Sequence, residues 1–262
     1  MYFQLEKNRI FVGGRLLPDS PEPVVFFLHG AAMDHTVWVY YVRYFVSAGY
    51  SVLAPDLPGH GRSGGDPLLE IGDMADWVAK VMDELGIGSI SLAGHSMGAL
   101  VSLEFASKYA ERVKRLALLG VSCPMPVSEQ LLDEARMDSP VAREMMMIWG
   151  HGHRSLLGGN PISGMNIFQS GLRLLERAKP GTLHTDLKAC NGYESGFDAA
   201  ARVTCRTHLI CGREDRMTPP RGAEKLATLI PDSQVHVING SGHMMMSEQP
   251  EKTHSLLSRA LS

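Results

Sequence analysis

Short apolar runs alternate with amphipathic segments along this chain, and that alternation limits the possible fold more than any other feature. The runs are about five residues long and rich in β-branched and aromatic side chains, which is typical of strands buried on both faces. We predict strands at Val24–Leu28, 51–54, 89–93, 115–119, 207–211 and 234–238. Repeated strand–helix–strand units of this kind predict an α/β fold with a mostly parallel central sheet flanked by helices.

Helical patterns fill the segments between these strands. We predict helices at 36–48, 71–85, 97–109, 221–229 and 248–261. The second is the clearest, because Ile71, Met74, Trp77 and Val78 follow one another at spacings that place them on one apolar face. Glycines that follow the first two helices are typical stop signals.

One long segment breaks the alternation. From residue 123 to residue 202 the chain has no strand-like run, but it has clusters of Met and Leu and short helical patterns. A segment this long is not expected to be a structureless loop. We predict a helical cap insertion at 123–202 over the carboxyl edge of the sheet, with the core formed by 1–122 and 203–262.

Composition and charge exclude several classes of protein. The chain has 262 residues and a formal net charge of −3, so it lacks the basic character of nucleic-acid-binding proteins. No apolar run approaches the roughly 20 residues that span a bilayer, and residues 1–10 lack the apolar centre of a signal peptide. The four cysteines are scattered without a C-x-x-C pair: Cys123, Cys190, Cys205 and Cys211. We therefore expect a cytoplasmic protein with free thiols, no membrane insertion and no nucleic-acid partner.

A serine motif stands between a predicted strand and a predicted helix. Gly94-His95-Ser96-Met97-Gly98 fits the pattern G-x-S-x-G and joins the strand at 89–93 to the helix at 97–109. In this context the chain makes a strained turn that exposes the serine, and the flanking glycines leave room for it. Ser96 is therefore the candidate nucleophile.

A serine nucleophile needs a base and an acid that orients the base. His243 follows the last predicted strand, and Asp215 follows the strand at 207–211. The chain order Ser96, Asp215, His243 is one in which such triads occur. Glu214 is an alternative acid, because it is next to Asp215 in the sequence.

Together these motifs resemble those of the α/β-hydrolase superfamily, and of its cap-bearing, esterase-like serine hydrolases. The resemblance covers about residues 10–122 and 203–262. It rests on the serine turn and on four further motifs: His29-Gly30, the loop from Leu57 to Ser63, Gly-x-x-Asp-x-x-x-Pro from Gly212 to Pro219, and Ser241-Gly242-His243. They are specific for the fold and much less so for the substrate.

The resemblance implies an acyl-enzyme mechanism that needs neither a metal nor an organic cofactor. It assigns the oxyanion hole to the backbone N–H groups of Met97 and Ala31, with Ala32 as an alternative to Ala31. It also implies that His29 braces the turn that follows it.

Four other histidines have simpler interpretations than catalysis. We expect His95 to be a buried packing residue and His60 to have a structural role in its glycine-rich loop. His151 and His153 form an H-x-H pair without a third ligand at suitable spacing, so we expect no metal site.

The substrate is much less determined than the fold. Met-rich segments adapt to varied apolar ligands, so we expect a small to medium hydrophobic acyl or alcohol group. Candidate pocket residues are Trp149, Met145, Met165, Phe168 and Met244. The leading expectation is a carboxylic-ester hydrolase for a small-molecule substrate. The alternatives are a thioesterase, a lactonase, a C–C bond hydrolase or a non-catalytic receptor. A C–C bond hydrolase is expected to have a more glycine-rich turn after His29 than this chain has.

Overall fold

A single twisted sheet forms the centre of the protein. The computed structural model describes residues 1–17, 23–159 and 164–262. Within those ranges, eight strands pair in the order β1-β2-β4-β3-β5-β6-β7-β8. The strands are β1 (Tyr2–Leu5), β2 (Asn8–Arg15), β3 (Val24–Leu28), β4 (Val52–Pro55), β5 (Ile90–His95), β6 (Val113–Leu119), β7 (Arg206–Gly212) and β8 (Ser233–Ile238). The pairs from β4 to β8 are parallel, whereas β1 and β2 are antiparallel to their neighbours.

The mostly parallel sheet is confirmed, and each of the six predicted strands is present with its ends shifted by at most two residues. Strands β1 and β2 are absent from the sequence-based prediction. The pattern of β2 is hidden by Gly13 and Gly14, which interrupt its apolar run. A Cβ on Gly14 would lie 2.1 Å from the carbonyl oxygen of Val52, so close pairing with β4 requires glycine there.

Helices cover both faces of the sheet. In the core they are α1 (Val39–Ser47), preceded by a 3₁₀ turn (His35–Trp38), α2 (Ile71–Glu84), α3 (Met97–Lys108), α10 (Pro220–Ala227), α11 (Met245–Glu248) and α12 (Pro250–Leu261). The helix predicted at 248–261 corresponds to α12 and begins two residues later than predicted, because Glu248 is the last residue of the short α11. Pro250 begins α12, since a proline fits the first turn of a helix but not its interior. In the described residues, no helix combines the length and apolarity needed to cross a membrane.

The segment between β6 and β7 is helical, and we call residues 123–202 the insertion. Its helices are α4 (Glu129–Arg136), α5 (Pro140–Gly150), α6 (His153–Leu156), α7 (Ile167–Glu176), α8 (Thr182–Asn191) and α9 (Gly196–Arg202). Helix α4 packs on α5 and α8, while α5 packs on α7. Helix α9 instead packs on α3 of the core. Helix α8 also contacts α3, so the insertion joins the core through more than its two ends.

The strand order brings two loops together at the carboxyl edge of the sheet. After β3 the chain crosses to β4 on one side, and it returns through α2 to β5 on the other side. Such a switch point is where ligands bind in open α/β sheets. Leu28 is paired with Gly94, so the residues that follow β3 lie beside those that follow β5.

Glycine is required where these two loops meet. A Cβ on Gly98 would lie 2.4 Å from the carbonyl oxygen of Leu28, and a Cβ on Gly94 would lie 2.0 Å from that of Gly98. Both distances are far below a van der Waals contact. The two glycines of the serine motif thus allow α3 to approach β3 and β5 closely.

This close approach predicts a strong effect of one methyl group. We expect Gly98→Ala to destabilise the protein by about 1–3 kcal/mol or to prevent folding, because the added carbon overpacks rigid backbone. Gly72→Ala in α2 is the matched control, because a Cβ there meets no atom within 4 Å. We expect the control to raise stability by about 0.5 kcal/mol. Urea unfolding of both variants measures the difference, and equal stabilities would contradict the packing argument.

Candidate active site

Ser96 stands on a strained turn between β5 and α3. Its backbone has φ of +55° and ψ of −119°, a conformation that non-glycine residues rarely adopt. Its N–H donates to the carbonyl oxygen of Leu119 at 2.9 Å, which ties the turn to β6. The side chain lines a cavity, and α3 begins at the next residue. The local geometry is that of a serine presented at a helix N-terminus.

Asp215 and His243 form a buried pair at the same edge of the sheet. Nδ1 of His243 lies 2.7 Å from Oδ2 of Asp215. An ionised carboxylate only accepts hydrogen bonds, so Nδ1 carries the proton and Nε2 has the free lone pair. Nε2 is buried and has no hydrogen-bond partner among the described residues. His243 lines the same cavity as Ser96.

The Asp215 carboxylate is held in place by four donors. Oδ1 accepts from the N–H groups of Met217 and Thr218, each at 2.8 Å. Oδ2 accepts from His243 and from the hydroxyl of Thr218 at 2.7 Å. Burial by itself raises the pKa of Asp215, but the charge and hydrogen bond of His243 and the hydrogen bonds of Thr218 lower it below its ordinary value. Asp215 is therefore kept ionised and oriented.

Glu214, the alternative acid, faces elsewhere. Its Oε2 accepts from the N–H of His153 in the insertion, at 2.7 Å. The structure thus brings Asp215, and not Glu214, into contact with the His243 ring.

Three contacts hold the backbone around His243. Nε2 of His95 donates to the carbonyl oxygen of His243 at 2.9 Å. Glu248 accepts from the N–H of Gly242 through one oxygen and from the N–H of Gly152 through the other, both at 2.7 Å. A Cβ on Gly120 would lie 2.9 Å from the His243 ring, so the backbone after β6 packs directly against that ring.

The loop after β3 carries the predicted oxyanion donors. The N–H of Ala32 donates to Oδ2 of Asp186, in α8 of the insertion, at 2.7 Å. The N–H of Ala31 and the N–H of Met97 donate to no acceptor in the ranges that the structure describes. Ala31 lines the cavity with Ser96, whereas Ala32 is already paired. This arrangement favours Ala31 over Ala32 as the donor to a ligand.

His29 braces this loop from below. Its Nε2 accepts from the N–H of Leu57 at 3.1 Å, and its Nδ1 donates to the carbonyl oxygen of Gly30 at 2.9 Å. Complete burial, helped by the nearby His60, lowers the pKa of His29 to about 4. His29 is therefore a neutral structural ring, as is His95, whose pKa is lowered to about 3 mainly by burial.

The cavity beside Ser96 has a volume of about 180 Å³. Side chains of α4, α5 and α8 and of the loops after β6 and β7 form its wall. Residues that line it are Ala31, Ser96, Met125, Pro126, Val127, Ser128, Leu131, Met146, Trp149, Leu187, Cys190, Arg216, Met217, Thr218 and His243. Apart from the catalytic candidates, the lining is mostly apolar.

The five residues predicted for the pocket separate into three groups. Trp149 lines this cavity, and the residue of α5 beside it is Met146 instead of Met145. Met145 and Met146 lie four and three residues before Trp149, so both share its side of the helix and spacing alone does not choose between them. Met165 and Met244 line another cavity, of about 500 Å³, between α1, α7 and α12. Phe168 lies against the His151 ring, 5.7 Å between centroids.

Sequence reasoning missed several residues of this site. Thr218 could have been found from its place three residues after Asp215, inside a recognised motif. Asp186 and Glu248 carry no such signal, because each contacts a loop that is distant in the sequence. Arg216 is the cation of the cavity wall, and its guanidinium donates to the carbonyl oxygen of Ile148.

A group of three potential metal ligands lies outside this cavity. Ligand atoms of Asp34, His35 and Asp56 are within 4.8 Å of one another. Asp56 accepts from His35 and from the N–H of Arg62, while Asp34 accepts from Thr36 and Arg177. Hydrogen bonds within the protein already account for these carboxylates.

Comparison with known proteins assigns the family. The sequence matches the Alpha/beta hydrolase family over residues 25–256, which is most of the chain. The chain belongs to this family. Its expected family membership and fold are thereby confirmed, and it is a hydrolase by this relationship.

Relatives of this hydrolase have more than one activity. A 2-hydroxy-6-oxononadienedioate/2-hydroxy-6-oxononatrienedioate hydrolase of a Pseudomonas species is 29% identical over 252 residues, covering 90% of this chain and 87% of the relative. A thermophilic esterase from Thermogutta terrifontis, solved with malate bound, is 25% identical, with a TM-score of 0.82 and coverage of 96% and 92%. An enol-lactonase from Burkholderia xenovorans is 17% identical, with a TM-score of 0.87 and coverage of 99% and 98%, and it shares the fold.

The neutral buried histidines of this hydrolase predict acid sensitivity. The ordinary pKa of histidine is 6.5, and burial lowers the pKa of His95 to about 3 and that of His29 to about 4. As pH falls below 6.5, the unfolded chain binds protons that the folded rings exclude, so stability is lost. Each ring contributes a slope of about 1.4 kcal/mol per pH unit until its folded pKa is reached.

We expect His95→Gln, whose amide can donate to the same carbonyl oxygen, to reduce the slope between pH 6 and 4 by that amount. Urea unfolding at several pH values measures it. Unfolding at pH 8, where both rings are neutral in both states, isolates the packing effect of the substitution. An unchanged slope would mean that His95 is charged in the folded protein.

Proposed function

We propose that this protein is a serine hydrolase that cleaves small carboxylic esters. The observation that carries the proposal is the Asp215–His243 pair at 2.7 Å: Nε2 of His243 is free, and His243 lines the same small cavity as Ser96. A nucleophile, a base and an orienting acid are the parts that acyl transfer needs.

The reaction follows from these positions. Ser96 Oγ attacks the ester carbonyl carbon while its proton passes to Nε2 of His243. The N–H groups of Ala31 and Met97 donate to the oxyanion that forms. As the tetrahedral intermediate collapses, the imidazolium gives its proton to the leaving alcohol. A water molecule, deprotonated by His243, then attacks the acyl-enzyme and releases the acid. Asp215 stabilises the imidazolium in both halves of the reaction.

The cavity wall supports a small, largely apolar substrate. Its volume of about 180 Å³ is below the roughly 300–1,000 Å³ of pockets that bind drug-sized ligands. Helices α4, α5 and α8, together with residues 125–127 of the loop after β6, supply most of the apolar wall, which supports the interpretation of the insertion as a cap over the site. We therefore expect short acyl chains to be the better substrates.

Hydrolysis of a C–C bond is the second candidate, and the relatives favour it. The Pseudomonas relative, which matches 90% of this chain, is named for an oxo-dienedioate, a substrate class with two carboxylates. The described residues that line the cavity include one cation, Arg216. An apolar cavity with one cation suits a neutral or monoanionic ester better than a dianion. This mismatch places the ester proposal ahead of a dianionic substrate, whereas the one cation suits the single carboxylate of a 2-hydroxy-6-oxo-6-phenylhexa-2,4-dienoate, for which a Burkholderia cepacia relative is named.

Hydrolysis of p-nitrophenyl esters from acetate to decanoate tests the proposal. We expect turnover that is highest for acetate to butyrate, because the small cavity excludes long chains. Ser96→Ala is expected to remove turnover almost completely, since no other group can form the acyl-enzyme. Initial rates at 405 nm, with both proteins checked for folding, make the measurement.

The same two proteins incubated with 2-hydroxy-6-oxononadienedioate separate the two candidates. Ser96-dependent cleavage of this compound, with esters turned over no faster by wild type than by Ser96→Ala, would replace the ester proposal by the C–C one. If wild type and Ser96→Ala are equal on both substrates, the hydrolase proposal fails and a ligand-binding role becomes the better interpretation.

Two neighbouring carboxylates provide a matched test of the acid. We expect Asp215→Asn to lower kcat by about four orders of magnitude, because the amide no longer holds His243 in the required tautomer. Glu214→Gln is expected to keep kcat within about twofold, since Glu214 contacts the insertion rather than the His243 ring. Steady-state kinetics on p-nitrophenyl butyrate distinguish them. The reverse pattern would transfer the role to Glu214.

A further inference from the structure

We propose that Asp186 is a positioning residue that holds the oxyanion loop, so that the N–H of Ala31 points into the cavity. Asp186 belongs to α8 of the insertion, and its side chain is completely buried. The inference rests on the proposed hydrolase function and adds a residue that neither the triad nor the oxyanion hole includes.

The contact that carries the inference is between Asp186 and Ala32. The N–H of Ala32 donates to Oδ2 of Asp186 at 2.7 Å, across 154 positions of the chain. Ala32 has a φ of +54°, which is unfavourable for a residue with a Cβ. A strained residue keeps its conformation only when its surroundings enforce it. The carboxylate of Asp186 supplies that restraint one residue after the donor Ala31.

A second contact keeps the carboxylate in place. Oδ2 of Asp186 lies 2.7 Å from Nε2 of His60, and Nδ1 of His60 donates to the carbonyl oxygen of Pro58 at 2.9 Å. Burial lowers the pKa of His60, but the charge and hydrogen bond of Asp186 outweigh burial and raise it. Both ring nitrogens of His60 then donate, and the glycine-rich loop is fixed to the same carboxylate as the oxyanion loop.

A purely structural role does not explain this carboxylate well. Its other oxygen, Oδ1, is buried and has no partner among the described residues. Burying an ion pair with an unsatisfied oxygen stabilises a fold little, and an apolar residue of similar size often does as well. The arrangement is explained if the carboxylate sets the direction of a backbone donor.

The position of α8 links this restraint to the substrate. Leu187 and Cys190 of the same helix line the cavity beside Ser96. Asp186 therefore joins a wall of the substrate cavity to the loop that binds the oxyanion. Because the oxyanion exists only in the transition state and intermediates, a misdirected Ala31 N–H should lower kcat more than it changes KM.

Two substitutions at position 186 distinguish the effect of losing the hydrogen-bond acceptor from the effect of changing the side-chain volume. Asp186→Leu fills the same space without an acceptor, and we expect kcat to fall by about 10- to 100-fold with KM within about threefold. Asp186→Asn keeps an acceptor for Ala32 and His60, and its amide nitrogen replaces the oxygen that has no partner. We expect this variant to retain most of kcat.

Asp138→Gly is the matched control for loosening α8. Oδ1 of Asp138 accepts from the N–H of Gly181, at the start of the same helix, and Asp138 has a φ of +51°, which glycine tolerates. This change removes a carboxylate–backbone contact of α8 without touching the oxyanion loop. We expect its kcat to equal that of the wild type.

Kinetics with p-nitrophenyl butyrate and the rate at which a fluorophosphonate labels Ser96 provide two readouts. Labelling forms a tetrahedral phosphorus adduct whose oxygen occupies the oxyanion hole, so it reports on that hole whatever the natural substrate is. Circular dichroism and thermal unfolding check that each variant folds. If Asp186→Leu does not fold, Asp186→Ala, which leaves space instead of added bulk, is measured in its place.

The inference is supported if Asp186→Leu shows slower labelling and a lower kcat while Asp186→Asn stays close to the wild type. Equal loss in the Asn, Leu and control variants, or kcat unchanged in the Leu variant, overturns it. Failure of the proposed function is read separately, from wild type against Ser96→Ala: if Ser96 neither turns over substrate nor is labelled, both the function and this inference fall.

Discussion

The close contact between the start of α3 and the ends of β3 and β5 is the constraint on which the rest of the site depends. Backbone atoms of Gly98 approach those of Leu28 and His29 so closely that no side chain fits between them. This contact brings the serine turn beside the loop that carries Ala31. Acyl transfer needs a nucleophile and oxyanion donors next to each other, and the contact places the candidates for both side by side although they are distant in the sequence. The strain at Ser96 is sustained by this packing.

Local patterns made the core of the fold predictable. Six strands and the serine turn follow from apolar runs, their spacing and the placement of glycine. The hairpin of β1 and β2 does not, because Gly13 and Gly14 break its pattern for the sake of close pairing with β4. Helix α12 begins at Pro250. The apolar spacing in 248–261 does not show this start, which depends on the proline.

The candidate site divides in the same way. Ser96, Asp215 and His243 stand in motifs that the sequence displays, and the last two are in contact. The cavity wall depends on how α4, α5 and α8 pack, which places Met146 and not Met145 in it, whereas Met165 lines another cavity. Single-sequence periodicity places a side chain on one face of a helix but does not say what that face meets.

Two buried carboxylates connect the insertion to the loops that carry Ala32 and Gly242. Asp186 holds Ala32, and Glu248 bridges Gly152 of the insertion to Gly242 of the core. A rigid-body movement of the insertion away from the core would break both contacts and separate Asp186 from Ala32 and His60, at a cost of several kcal/mol. Moving Arg216 breaks one exposed hydrogen bond to Ile148. A hinge movement of the whole insertion therefore has a cost that a side-chain movement in the cavity wall, such as that of Arg216, does not have.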